Sequence, residues 1–360
     1  MPVDDRLDPI RTFAFELLRT VEDAVAASDA PCEIFSFGPL VIEMRIVGDV
    51  LRRRFTRATA FARTAGMGGA PAGWRLIAVD GAASGLGKPP DWRFRVTDPR
   101  HLERLHRSGN PPLFVRHSDP STSTWSAVFH DRRVALVWTA DAANLPEWDD
   151  AAPCRDLFHL MTVPGDCLLA HAAAIGVGGK GILLTGRGGS GKSTTTAAAA
   201  LNGLVTAGDD FVLVDPKSHR VHALYDCIKL DRDSLKTLPA LVPHAINRSA
   251  RDTEARSDTK YRIHLAESLP QSLVADLKVD AVLLPAVSGG DRTVIEPASA
   301  GEAMRALTPS TICLVRGGET ETIQKSAAFL RTLPSYRCRL GSDPREITAA
   351  IADFIAGLPT

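Results

Sequence analysis

The residues with the clearest chemical meaning lie between Gly181 and Thr196, in the sequence G-I-L-L-T-G-R-G-G-S-G-K-S-T-T-T. Within it, Gly186 to Ser193 fits G-x-x-x-x-G-K-S, the P-loop pattern. Glycines at this spacing let successive backbone N–H groups point at phosphate oxygens with no Cβ in the way. Lys192 could then reach the β- and γ-phosphates of a nucleotide, and the hydroxyl of Ser193 could meet Mg²⁺.

The residues around this motif strengthen the prediction. Ile182 to Leu184 is a short apolar run suited to a buried strand, and Thr194 to Leu201 predicts a helix that opens at the loop. Strand, glycine loop and helix N-terminus is the order that distinguishes a P-loop from a glycine-rich turn that binds nothing. We therefore predict that ATP and Mg²⁺ bind here. The predicted nucleotide contacts are Gly186, Arg187, Gly188, Gly189, Ser190, Gly191, Lys192, Ser193 and Thr194.

A paired carboxylate follows the predicted helix. Asp209 and Asp210 come 17 and 18 residues after Lys192, an interval that fits a helix and a short return strand. They would then lie at the carboxyl end of a neighbouring parallel strand, where open α/β sheets bind ligands. One carboxylate could hold Mg²⁺ and the other could accept the proton of a hydroxyl. The alternative is an acidic turn between two strands.

A histidine lies a short distance before the motif. His171 lies in an otherwise apolar stretch, Cys167 to Val177, which we predict to be a single strand joined to the P-loop strand by a tight turn at Gly178 and Gly179. A lone histidine in such a strand is more often a hydrogen-bonded core residue than a site residue.

The segment L-L-A-H-A-A-A-I-G-V-G-G-K-G-I-L-L-T-G-R-G-G-S-G-K-S-T, followed by L-V-T-A-G-D-D, resembles the catalytic domain of the HPr kinase/phosphorylase family. The resemblance covers about residues 165 to 230 and is closest to the HPr kinase-like proteins of ribosomal (lasso) peptide biosynthesis. It implies phosphorylation of a serine on a peptide or small protein. It also implies catalytic roles for His171 and Lys192, Asp209 as the general base, and Ser193 and Asp210 as metal ligands.

The chain departs from the family in two places. Thr194 stands where the family has an acidic residue, and the family's later loop motifs, which are tied to its hexamer and its phosphorylase activity, have no convincing copy here. We therefore do not extend the resemblance to phosphorolysis or to HPr as the substrate. Downstream, Lys229 and Lys260 could neutralise phosphate charge or could be ordinary surface lysines.

The composition narrows the classes of partner. Lysine plus arginine equals aspartate plus glutamate at 42 each, so no net charge draws the chain to nucleic acid or to a membrane. Six scattered cysteines without C-x-x-C predict a reduced protein, and the N-terminus has no signal-like apolar core. We expect a cytoplasmic protein without a membrane span, and we leave homo-oligomerisation open.

The acidic, proline-bounded stretch 140–153 predicts a boundary between two domains. Residues 1–150 would form an α+β domain, which we expect to dock the substrate, and residues 151–360 would form the domain that the resemblance implies, a P-loop HPr kinase-like α/β domain with a mixed sheet. In the first domain we predict a helix over 5–28, β-like structure over 32–53, a solvated helix face at 101–107 and antiparallel strands over 113–138. Two other functions stay open: a small-molecule kinase, and a nucleotide-binding regulatory module that transfers nothing.

Overall fold

The computed structural model describes residues 9–64, 73–91, 104–117, 122–246 and 260–359. The chain divides into two compact units, Met1–Gly165 and Asp166–Thr360, each of mixed α/β type. The predicted boundary at residue 150 lies earlier in the chain than this division. The small-residue stretch 64–73 and the charged stretch 248–260, whose compositions predict surface loops, fall almost entirely outside the described residues.

The first unit is built on a seven-stranded mixed sheet with the strand order β1-β2-β3-β7-β6-β5-β4. Strand β3 runs parallel to both of its neighbours, β2 and β7, and the remaining pairings are antiparallel. The α-helices and strands are α1 (Pro9–Ala26), β1 (Cys32–Phe37), β2 (Leu40–Val47), α2 (Asp49–Thr56), β3 (Trp74–Asp80), α3 (Gly81–Ser84), β4 (Arg104–Ser108), β5 (Leu113–His117), β6 (Thr124–Phe129), β7 (Val134–Thr139) and α4 (Arg155–Thr162).

Helix α1 follows its predicted period. Phe13, Leu17 and Val21 are buried at helical spacing and pack with Trp125 and Leu136 of the sheet in one apolar cluster. The predicted strands at 113–138 are also observed, as β5, β6 and β7.

Two predictions for the first unit were wrong. The β-like pattern over 32–53 ends at Gly48, whose φ of 102° turns the chain into helix α2. The segment at 101–107 is not helical where it is described, because residues 104–108 pair with β5 as an antiparallel edge strand. Tertiary pairing overrides the local helical pattern there.

The second unit has a six-stranded sheet in the order β11-β9-β10-β17-β19-β18, a four-stranded sheet in the order β16-β13-β12-β8, and a ribbon of β14 and β15. Its elements are β8 (Leu168–Ala170), β9 (Ala172–Val177), β10 (Lys180–Thr185), α5 (Lys192–Leu201), β11 (Val205–Thr206), β12 (Val212–Asp215), β13 (Arg220–Ala223), β14 (Cys227–Leu230), α6 (Arg232–Thr237), β15 (Tyr261–His264), α7 (Leu265–Ser268), β16 (Asp276–Lys278), β17 (Ala281–Gly290), β18 (Val294–Ala298), α8 (Ala300–Leu314), α9 (Glu319–Leu330), β19 (Ser335–Gly341) and α10 (Pro344–Ala356).

Strand β10 lies at the centre of the large sheet, antiparallel to β9 and parallel to β17. Helices α5 and α10 cover one face of the sheet, and α8, α9 and the four-stranded sheet cover the other. Ile182, Leu183 and Leu184 are therefore all fully buried. Burial on both faces explains why this strand has a continuous apolar run instead of an alternating pattern.

The predicted strand at 167–177 is two strands. Ala170 pairs with Val212 in the four-stranded sheet, whereas Ala172 pairs with Thr185 in the six-stranded sheet. The chain thus changes sheets at His171, which lies at the break between β8 and β9 and not in the middle of a strand.

Each of the six cysteines is free. Among the helices that the structure describes, none is both long enough and apolar enough to cross a bilayer.

We expect Gly181→Ala to lower the free energy of unfolding by about 1–3 kcal/mol, the usual cost of overpacking. A Cβ at Gly181 would lie 2.7 Å from the carbonyl oxygen of Lys278, a backbone atom that cannot move aside cheaply. Urea unfolding followed by far-UV circular dichroism measures the change. Gly178→Asn is the matched control, because φ is 61° there and no atom lies within 4 Å of the added Cβ. Asparagine tolerates that conformation, so equal losses in the two variants would contradict the explanation.

Candidate functional site

The glycine loop connects the end of β10 at Thr185 to the start of α5 at Lys192, so the predicted order of strand, loop and helix is observed. Arg187, Gly188 and Gly189 are exposed at the tip of the loop. Gly191 has a φ of 98°, and a Cβ on it would lie 2.5 Å from Cδ1 of Leu340. The loop therefore requires glycine at this position for conformation and for space.

The loop presents backbone donors next to a helix N-terminus. Within the described residues, the N–H groups of Gly188, Gly189 and Gly191 donate no hydrogen bond. Unpaired N–H groups at a helix N-terminus, together with the helix dipole, favour an anion.

The side chain of Lys192 is buried against the same loop. Its Nζ donates to the carbonyl oxygens of Gly186 at 2.6 Å and Arg187 at 3.4 Å. Burial lowers the pKa of Lys192, although the charges of Asp209 and Asp210 act to raise it. Lys260 also acts to lower this pKa, which puts one of the two predicted downstream lysines in the electrostatic neighbourhood of the loop.

Asp209 is the most isolated acid of the site. It is 1% exposed, and neither carboxylate oxygen has a hydrogen-bond partner in the part of the chain that the structure describes. Burial raises its pKa, and the charge of Asp210 adds to this effect. The hydroxyl of Ser193 and the ammonium of Lys192 act in the opposite direction, so Asp209 lies close to both of these predicted phosphate and metal contacts.

The adjacent Asp210 has a contrasting environment. Nε2 of His171 donates to its Oδ1 at 3.0 Å, and Nζ of Lys229 lies 2.5 Å from its Oδ2. Burial alone would raise the pKa of Asp210, but the hydrogen bond from His171 and the charge of Lys229 hold it well below its usual range. Asp210 therefore stays ionised while Asp209 is held closer to its neutral form.

The backbone between β11 and β12 positions the two acids. Asp210 has a φ of 68°, a left-handed conformation that aspartate tolerates better than most residues. The preceding residues are held to β9, because Ala207 N donates to Ala174 O and Ala174 N donates to Gly208 O. Strand β11 runs in the same direction as β10, but β9 lies between them. The prediction that the aspartates follow an immediate neighbour of the P-loop strand was therefore wrong.

His171 is held on three sides. Its backbone N–H donates to Oγ1 of Thr311 in α8, and its ring packs against Phe211 with a centroid distance of 5.5 Å. Because a carboxylate can only accept, Nε2 carries the proton in the bond to Asp210. The break between β8 and β9 thus brings a residue that the strand pattern marked as core into the acidic cluster.

Lys229 lies in the acidic cluster, although the sequence predicted no catalytic role for it and indicated only that it could neutralise phosphate charge. Its neighbours Ile228 and Leu230 are buried in one apolar cluster with Ala197 and Ala198 of α5. Since strand residues alternate in direction, Lys229 points away from that cluster and meets Asp210. The sequence signal that could have indicated this position of Lys229 is a single lysine between two apolar residues, Ile228 and Leu230, in a short strand.

A second buried acid–histidine pair was missed entirely. Nδ1 of His264 lies 2.8 Å from Oδ1 of Asp226, and both side chains are almost fully buried. The backbone N–H of Leu265 donates to the Asp226 carbonyl. The pair joins the start of β14 to the end of β15, the ribbon that carries Lys229. Because 38 residues separate the partners, no local pattern could indicate this contact.

Two predicted contacts have partners inside the protein. Oγ1 of Thr194 lies 2.8 Å from Oγ of Ser234 in α6. Asp210 has both oxygens engaged, as described above, whereas the unpartnered oxygens of Asp209 lie beside Ser193.

The described residues contain no group of three or more His, Cys, Asp or Glu side chains that could hold a metal. A hydroxyl and carboxylate oxygens fit Mg²⁺, which keeps several waters and takes few protein ligands. The metal role of Asp210 stays a prediction.

The fold and the site together define a mixed α/β protein with a glycine loop beside a buried carboxylate pair. No family model matches the chain, and no curated protein matches it. Among solved structures, the chain is similar to the Hpr(Ser) kinase/phosphatase from Coxiella burnetii at 10% identity and a TM-score of 0.25. The match covers 52% of this chain and 92% of that one. It is a distant structural resemblance and assigns no residue a role.

We expect opposite stability effects from the two aspartates in protein treated with a chelator and free of nucleotide. Asp209→Asn should raise the free energy of unfolding at pH 8 by about 1–3 kcal/mol, because it removes an unpartnered buried carboxylate. Asp210→Asn should lower it by a similar amount, because it leaves the buried charge of Lys229 without its partner.

The pKa shifts of the two aspartates predict how each stability effect changes with pH. The pKa of Asp209 is raised on folding, so the gain from Asp209→Asn should grow as pH rises above about 4, the value in unfolded chains. The pKa of Asp210 is lowered, so the loss from Asp210→Asn should shrink as pH falls below that value. Urea unfolding of the two variants from about pH 2.5 to about pH 8 measures both trends. A loss of stability in Asp209→Asn at pH 8 would contradict the assignment.

Proposed function

We propose that this protein is an ATP- and Mg²⁺-dependent kinase that transfers the γ-phosphate to a serine hydroxyl of a peptide or small protein. The observation that carries the proposal is Asp209, a buried carboxylate with two unpartnered oxygens beside Lys192 and Ser193 of the glycine loop. A buried acid without a partner is costly to stability and is expected where the chemistry needs it.

The chain's own residues divide the work of such a transfer. The N–H groups of the loop and the ammonium of Lys192 bind phosphate oxygens. Asp209 accepts the proton of the acceptor hydroxyl as the serine oxygen forms its bond to the γ-phosphorus and the bond to ADP breaks. A base with a raised pKa is suited to this step near neutral pH. His171 and Lys229 keep Asp210 ionised, so the proton goes to Asp209.

Mg²⁺ would be held by Ser193 with the neighbouring carboxylates, and when bound it would neutralise charge on the phosphates. Asp209 already offers free oxygens there, whereas Asp210 would first have to give up its contact with His171 or Lys229. Lys229 and Lys260 add positive charge near the two acids and the loop, consistent with a site for a highly charged anion.

The peptide acceptor rests on the sequence resemblance and on the presence of a separate first unit of 165 residues. We propose that this unit docks the substrate. Among the described strands, β4 stands at one end of its sheet, and such an edge is the kind that can add an extended peptide by strand pairing.

The test is phosphate transfer from ATP and Mg²⁺ to serine-containing peptides encoded near the gene for this chain, followed by mass spectrometry. We expect Asp209→Asn to reduce transfer about 100-fold or more, the usual contribution of a general base, while the affinity for ATP changes less than about threefold. The matched control is Asp233→Asn, because Asp233 is exposed on α6 and pairs only with Lys236. It should leave transfer unchanged.

Three results would point elsewhere. Full transfer by Asp209→Asn would remove Asp209 as the base. Transfer to sugars or small hydroxyl compounds but to no peptide would favour a small-molecule kinase. ATP binding with no transfer to any acceptor would favour a regulatory nucleotide-binding module.

A further inference from the structure

The sheet order places different strands on the two sides of β10, the strand that leads into the glycine loop. The loop follows β10, and Asp209 and Asp210 follow β11, which lies beyond β9. On the other side of β10 lie β17 and β19, both parallel to it. If the proposed function holds, the γ-phosphate must meet the acceptor at Asp209, on the β9 side. The ribose and base, at the other end of the nucleotide, must then leave the loop toward β17.

An exposed apolar side chain lies on that side. Strand β17 runs on to Gly290, past the pairing with β10, which ends at Leu283. Val287 in this extension is 68% exposed, more than any other large apolar residue of the described chain. It adjoins the loop, because a Cβ placed on Gly191 would lie 3.5 Å from Cγ2 of Val287. A single exposed apolar residue is common on protein surfaces, and what distinguishes Val287 is its contact with the glycine loop.

The extension is held firmly in place. Oγ of Ser288 donates to the carbonyl oxygen of Leu340 at 2.7 Å. The carboxylate of Glu346 in α10 accepts from the backbone N–H and the hydroxyl of Thr293, at 2.8 and 2.7 Å. Gly341 N also donates to Oγ1 of Thr293. Val287 therefore lies on an extension of β17 that stays paired with β19, and a preformed apolar surface is the usual lining of a small-molecule pocket.

We propose that Val287 forms the platform for the nucleotide base, with one face of the ring lying on its methyl groups. This assignment rests on the proposed function and adds the subsite for the nucleoside end of ATP. An apolar side chain contacts the ring face and reads no hydrogen-bonding pattern, and the hydroxyl of the adjacent Ser288 is already used within the protein. The contact therefore depends on the presence of a base and contributes little to the choice among bases.

The test compares two probes by isothermal titration calorimetry: ATP and inorganic triphosphate, each with Mg²⁺. Val287→Ala removes two methyl groups from the platform and should weaken the binding of ATP about three- to tenfold, given the usual value of a buried methylene. The binding of triphosphate, which has no base, should be unchanged. The matched control is Val294→Ala, because Val294 lies on β18, which β19 separates from β17 in the same sheet, and is 39% exposed. Its affinity for both probes should equal that of the wild type.

The outcomes separate the two proposals. If the wild type binds ATP and Val287→Ala binds it equally well, the base platform is wrong and the proposed function stands. Equal weakening of ATP and triphosphate would also overturn the platform, because it would show that the substitution disturbs the phosphate loop. If the wild type binds no ATP, the proposed function fails and the platform fails with it.

Discussion

The site depends on two adjacent carboxylates that are buried in different electrostatic environments. Two like charges on neighbouring residues disfavour each other in a site with little water. The protein resolves this by placing Nε2 of His171 and Nζ of Lys229 on Asp210 and leaving both oxygens of Asp209 without a partner. The pair therefore separates into an acid that stays ionised and one that is pushed toward its neutral form, and such a separation marks acid–base roles in a site.

The architecture of the second unit produces this difference in ionisation between Asp209 and Asp210. His171 comes from the break between β8 and β9, Asp210 from the left-handed turn after β11, and Lys229 from the ribbon of β14 and β15. Each position is secured by a contact away from the acids: Thr311 holds His171, β9 holds the turn, and the alanines of α5 pack with the neighbours of Lys229. Two separate elements thus converge on the turn that carries one carboxylate, and residues whose own positions are fixed by such surroundings make a precise site.

Much of the local structure could be predicted because it follows from the chain's own periodicity. The strand, loop and helix around Gly186–Ser193, the hairpin of β9 and β10, helix α1 and strands β5 to β7 all have strong local patterns. The break at His171 could not be predicted, because it exists only where β8 joins β12 and β9 joins β10, in two different sheets. The contact of Asp226 with His264 and the pairing of β4 with β5 depend in the same way on partners distant in sequence. Periodicity gives the direction of a side chain but not the element that it meets.

Lys192 shows how the loop holds a buried cation. Its Nζ donates to the carbonyl oxygens of Gly186 and Arg187, so the same loop that carries the unpaired glycine N–H groups also accepts hydrogen bonds from the ammonium. Burial still lowers its pKa, which indicates that these carbonyls and the nearby acids replace water only in part. Under the proposed function, a phosphate oxygen would bring a full negative charge to the ammonium, whereas each carbonyl offers only a dipole. Both kinds of hydrogen bond are charge-assisted, because the lysine itself is ionised. The exchange would therefore gain Coulomb attraction and lose two carbonyl contacts, and these lost contacts are the cost that phosphate binding would have to offset.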